Sequence, residues 1–155
     1  MNDLVNQFWN QFIQKYPEYE NEPIPKAEHF CDNEKDANEL AELVFKEIKT
    51  GTCGALSSYE YYKEELPKVG TLWIITDFKG KPICITKTTK VYIVAYKDVT
   101  EDWAIKEGEG DLSLEYWQKA HWSFFERDLA PYNAKPFLDM KLVCEEFEVL
   151  KLVVK

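Results

Sequence analysis

The chain has 155 residues, 45% of them apolar and 15% aromatic, which is the length of one domain with enough material for a packed core; intrinsic disorder is excluded and two full domains are argued against. No uninterrupted apolar run reaches the ~18 residues of a membrane span, and residues 1–20 carry Asp3, Lys15 and Glu18 where a signal peptide has its apolar centre, so a soluble, cytoplasmic protein is expected. The net charge of −9, with Arg127 as the single arginine among eighteen lysines, excludes a general nucleic-acid coat, and no DNA partner is expected, because such binding needs clustered cations and guanidinium forks.

The spacing of Val5, Phe8, Trp9, Phe12, Ile13 and Tyr16 predicts an amphipathic helix over 2–16, ended by Pro17. A polar linker with Pro23 and Pro25 follows to about Phe30. Asp32 or Asn33 then caps a second helix whose Ala37, Leu40, Ala41, Val44 and Ile48 share a face and which runs into Lys49-Thr50-Gly51-Thr52. There, small and β-branched residues force an abrupt passage into a strand. Residues 71–77 read as a strand, 78–81 as a glycine-containing turn and 82–96 as one long or two consecutive strands. Asp98 with Glu101 resembles a capping box for a short helix to about Lys106. The glycines of EGEGD (107–111) break it, and Ser113 starts another helix with Leu114, Trp117, His121, Phe124 and Phe125 on one face. A period-two pattern over Val143, Glu145, Phe147 and Val149 closes the chain as a strand. Strands with helices at both ends and in one long insertion fit an α+β class, with a twisted sheet that closes into a small barrel, better than a doubly wound parallel sheet.

Residues 79–97 hold five lysines (79, 81, 87, 90 and 97) and no acid. Such a strip either protects strand edges from mispairing or faces a ligand. The four cysteines (31, 53, 84 and 144) show no C-x-x-C spacing, so free thiols are expected, with neither a zinc site nor a disulfide framework. No nucleotide-binding glycine loop is present, and Ser57 and Ser58 have no evident histidine partner. Two constellations remain. Lys49 lies three residues before Thr52, so an amine can stand beside a hydroxyl; in a dry site, desolvation lowers the lysine pKa and makes the amine a base. In the EGEGD loop Glu107, Glu109 and Asp111 are spaced two apart and can supply an acid or base. His121 beside Trp117 reads as a packed histidine or as a group that orients a substrate.

Taken in order, the stretches LAELVFKEIKTGT (40–52), LPKVGTLWIITDFKGKPICI (66–85), ITKTTKVYIVAY (85–96), EGEGDLSLEYWQKAHWSFF (107–125) and VCEEFEVL (143–150) resemble the longer bacterial members of the ASCH-domain family, named for activating-signal-cointegrator homology. The resemblance implies a PUA-like fold, a small mixed β-barrel flanked by helices, with residues 1–30 as an added helix and linker and 31–155 as the domain. It also implies a central cleft for RNA or a modified nucleoside; no cofactor or metal is expected. Short bacterial members hydrolyse the acetyl amide of N4-acetylcytidine with the lysine and threonine of a G-x-K-x-x-T segment and a downstream glutamate. Carried over by position, these fall on Lys49, Thr52 and Glu107. Gly51, Cys53 and Gly54 would line an oxyanion site, and Glu109, Asp111, Trp117 and His121 would contact substrate. Glu47 stands where the short pattern has glycine. The alternatives are a binding module without chemistry and a ribonuclease using the same cleft.

Overall fold

The computed structural model describes residues 3–152. The chain divides into two compact units, one made of the chain up to Glu47, residues 70–87 and the chain from Glu148, the other of residues 48–69 and 88–147.

In the first unit, helix α1 (Asp3–Lys15) buries Val5, Trp9 and Phe12, one face at helical spacing, against Ile74 and Ile85. Strand β1 (Lys26–Glu28) runs parallel to β3 (Leu72–Thr76), which is antiparallel to β4 (Pro82–Ala95). The β3–β4 turn is held by Asp77, whose Oδ1 accepts the Lys79 and Lys81 amides at 3.0 and 2.9 Å. Helix α2 (Glu34–Phe45) is capped by Asn33, which accepts the Asp36 amide at 2.9 Å. It stops one turn earlier than its hydrophobic spacing predicts: Lys46 is its cap, and Glu47 turns the chain at φ 61°. Strand β1 falls in the stretch read as linker, since three residues are too few to show a period of two.

In the second unit, β2 (Gly51–Ala55) pairs antiparallel with β5 (Lys141–Leu150), setting Thr52 opposite Glu145 and Cys53 opposite Cys144. Helices α3 (Leu56–Tyr62), α4 (Glu101–Glu107) and α5 (Leu114–Leu129) complete it. Its core gathers Ala55, Trp103, Trp117, Phe125, Leu129, Leu142 and Cys144. Helix α4 is capped by Thr100 rather than Asp98, the hydroxyl accepting the Trp103 amide at 3.3 Å. Ser113 caps α5 as its sequence predicts, accepting the Tyr116 amide at 3.1 Å.

Strands β4 and β5 each run from one unit into the other. The hydrogen-bonded order is β1-β3-β4-β5-β2, a mixed sheet with two ends. The α+β class holds. The closed barrel implied by the resemblance is not formed among the described residues, because β1 and β2 each have one neighbour. No described helix is long and apolar enough to cross a membrane.

Candidate functional site

Residues 48–50 are stitched between two elements of the second unit. The Thr50 amide donates to the Lys106 carbonyl at 2.7 Å, and the Thr50 carbonyl accepts the Phe147 amide at 3.0 Å. Immediately after α4, Gly108 turns at φ 71° against the Ile48 carbonyl, where an added Cβ would lie 2.5 Å from that oxygen. Only glycine permits both the turn and the approach. The last residue of α4, Glu107, is thereby set beside Lys49.

Both side chains are 1% exposed, and Lys49 Nζ lies 3.2 Å from Glu107 Oε1. The ammonium also donates to Glu109 Oε2 at 3.1 Å and to the Gly51 carbonyl at 2.8 Å. Glu107 accepts from five donors. Its Oε2 takes the indole N–H of Trp103 at 2.7 Å, that of Trp117 at 2.6 Å and the Cys53 thiol at 3.4 Å; its Oε1 takes Lys49 and His121 Nε2, the latter at 3.3 Å. Helical spacing supplies this convergence: Trp103 and Glu107 are four apart on α4, as are Trp117 and His121 on α5. The His121 ring stacks on Trp117, centroids 4.1 Å apart at 16°.

The second His121 nitrogen, Nδ1, faces the Trp117 carbonyl at 2.8 Å. With an acceptor opposite each ring nitrogen, the ring donates from both and carries a proton. Burial disfavours that charge, but Glu107 and Glu109 raise its pKa above the ordinary histidine value. Burial likewise pushes Glu107 up, and the His121 and Lys49 charges, with the hydrogen bonds from His121 and Trp117, overcome it and hold the carboxyl well below the usual range. For Lys49, burial pulls down while Glu109 and Glu107 raise, and the carboxylates win. The amine is therefore held as ammonium. This departs from the expectation that a dry lysine here becomes a neutral base: the site is dry, but two carboxylates come with it.

Cys53, Glu107 and His121 bring three potential ligand atoms within 4.8 Å of one another. A cation there would press on the Lys49 ammonium and would need two protons removed, one of them from Cys53, whose pKa is held well above normal by its hydrogen bond to Cys144, burial and Glu107. As arranged, thiol and imidazole are both donors to the carboxylate, so the three become metal ligands only once those protons leave.

Of the residues singled out from the sequence, the structure brings together Lys49, Glu107, Glu109, Cys53, Trp117, His121 and the Gly51 carbonyl. Asp111 stands outside this set, exposed, accepting the Ser113 amide at 2.9 Å. Gly54 lies where a Cβ would meet the Tyr59 ring at 3.4 Å. Because side chains alternate along a strand, Thr52 faces the side of β2 opposite Cys53, next to Glu145 across the ladder. Glu145 is 9% exposed and accepts the Thr88 hydroxyl at 3.1 Å; burial raises its pKa, with Thr88 and the Lys49 charge opposing. Trp103 reads from the sequence as a base-stacking or core aromatic rather than as a donor to Glu107, and Thr88 and Glu145 were not singled out by sequence reasoning. The signals were an i, i+4 tryptophan–glutamate pair and a glutamate in register with valine and phenylalanine.

The family model described as ASCH domain matches residues 26–151. Among solved structures, an ASCH domain from Lactobacillus crispatus JV V101 superposes with a TM-score of 0.90 at 36% identity, covering 96% of this chain and 95% of that one. A protein from Enterococcus faecalis V583 superposes with a TM-score of 0.89 at 38% identity, covering 97% and 90%. None of the curated proteins matches the sequence.

Proposed function

We propose, since the chain belongs to the ASCH domain family, that the Lys49–Glu107 centre binds a modified pyrimidine nucleoside, free or displayed on RNA, and hydrolyses the N4-acyl amide of a cytidine. One observation carries this reading: two cations and two carboxylates, Lys49, His121, Glu107 and Glu109, are gathered in a largely buried cluster. Buried ion pairs contribute little net stability for their desolvation cost, and such clusters of perturbed groups concentrate at functional sites.

The roles follow from protonation and access. Lys49, whose three ammonium protons are engaged by Gly51, Glu107 and Glu109, gives up its bond to the more exposed Glu109 to donate to the acyl carbonyl and stabilise the oxyanion that forms on it. Glu107 has all its acceptor capacity engaged, so it orients Lys49 and His121 and does not itself shuttle protons. Glu109 is 18% exposed and sits at the outer side of Lys49, suited to hold the N4 amine. Thr52 supplies the attacking hydroxyl or positions water.

The saturation of Glu107 also favours a second reading, a binding site without chemistry. In both, the net charge of −9 and the single arginine favour a free nucleoside over a long polyanion. Calorimetric titration of cytidine and N4-acetylcytidine into the wild-type protein and Lys49→Ala tests the shared premise. The expected result is binding by the wild type, little changed by salt, and its loss in the variant; no binding of either nucleoside at millimolar concentration contradicts it.

A further inference from the structure

Thr52 and Glu145 occupy the same face of the β2–β5 ladder as directly opposed partners, a position in which side chains lie ~5 Å apart at Cβ. On that face Glu145 receives the hydroxyl of Thr88 from β4 at 3.1 Å. The flanking Cys144 and Glu146 point to the other face: Cys144 joins the core, and Glu146 pairs with Lys106 at 3.0 Å. The groups acting on Glu145 are thus Thr88 and, from residues 48–50, the Lys49 ammonium, while Thr52 is its partner in the ladder register. Thr52 makes no hydrogen bond to another described side chain, so its hydroxyl is available.

We propose that Thr52 and Glu145 form a hydroxyl–carboxylate pair in which Glu145 is the proton acceptor for the threonine. Resting on the hydrolytic reading above, the step runs as follows. Glu145 takes the hydroxyl proton as the Thr52 oxygen bonds to the acyl carbon, and the carbonyl electron pair moves onto oxygen opposite Lys49. The carbon–N4 bond then breaks and the proton passes from Glu145 to the departing amine. Water, deprotonated in turn by Glu145, releases the acid and restores the threonine. The two requirements that Glu107 cannot meet, an unoccupied carboxylate oxygen and a proton affinity above the ordinary glutamate range, are met by Glu145, which is raised by burial. Thr88 fixes its rotamer and leaves the second oxygen for Thr52.

The test titrates ¹³C-labelled glutamate carboxyls by NMR, with Glu145→Gln to assign the resonance, and in parallel follows cytidine release from N4-acetylcytidine. The Glu145 midpoint is expected above that of exposed glutamates, and it shifts both in Thr52→Val and on saturation with cytidine. Turnover falls about 100-fold or more in Glu145→Gln, with cytidine binding retained. A midpoint indifferent to Thr52→Val and to cytidine overturns the pair whatever the turnover, as does a Glu145→Gln enzyme as fast as the wild type. A midpoint that shifts in a protein with no turnover supports the pair and refutes the hydrolysis.

Discussion

The Trp117 indole donates to Glu107 Oε2 at 2.6 Å, and the Trp103 indole donates to the same oxygen at 2.7 Å. Two rigid donors from two helices fix one carboxylate oxygen, which leaves the other to Lys49 and His121. The charge of Glu107 is thus shared between neutral dipoles and cations, and the site depends on this residue more than on any single cation.

Unequal costs of removing the two partners follow. Glu107→Ala leaves Lys49 and His121 as buried cations without their shared anion and is expected to destabilise by about 3–5 kcal/mol. Lys49→Met leaves Glu107 four of its five donors, and Glu109 is free to turn to water, so the loss is smaller. Urea unfolding of the two variants checks the order; equal losses contradict it.

The pH dependence has opposite signs on the two sides. Glu107 has a lowered folded pKa, so its stabilisation is present above its unfolded value and is lost as pH falls through the folded value. His121 has a raised folded pKa; its stabilisation is present below the unfolded value of 6.5 and is lost as pH rises through the folded one. Urea midpoints measured across pH therefore decline on the alkaline side in the wild type, and that decline is reduced in His121→Gln. An identical alkaline limb in the variant counts against a charged histidine.

Glu47 holds φ 61° at the position where the short family pattern has glycine. A non-glycine residue there carries about 1–2 kcal/mol of backbone strain, against an exposed ion pair with Lys151 at 2.8 Å worth at most about 1 kcal/mol. Glu47→Gly is expected to leave stability unchanged or raise it, read as Tm. A clear loss would show that Glu47 has a role beyond this turn.

Gly108→Ala acts in the other direction. It meets the same backbone penalty and places a Cβ 2.5 Å from the Ile48 carbonyl, so α4 must withdraw from residues 48–50. A loss of about 2 kcal/mol or more is expected, with lengthening of the Lys49–Glu107 contact visible in a crystal structure of the variant. Unchanged Tm and unchanged contact contradict this account of how the pair is assembled.

Much of this was legible because the signals were local. The α1 face, the Asp77–Gly80 turn and the Ser113 cap are written in spacings of two to four residues. Helix α3 was not, since its seven residues sit between a strand and a proline-containing loop with no buried face to set a period. The end of α2 was hidden because Ile48 continues the apolar spacing past the left-handed turn at Glu47. In the site, Lys49 and Glu107 stand out separately by local spacing and were joined only through the family pattern, whereas the roles of Trp103 and Glu145 depend on which face of an element meets which neighbour. The protonation of Lys49 could not be read either: burial and counter-charge push it in opposite directions, and only the three-dimensional arrangement shows that Glu107 and Glu109 both lie against it.

The most direct measurement is cytidine release from N4-acetylcytidine by wild-type protein beside Lys49→Ala, with folding of the variant checked by circular dichroism. The account predicts release by the wild type that falls at least ~100-fold when the ammonium is removed from a folded protein. Release by the folded variant at the wild-type rate, or none by the wild type at high enzyme concentration, contradicts it.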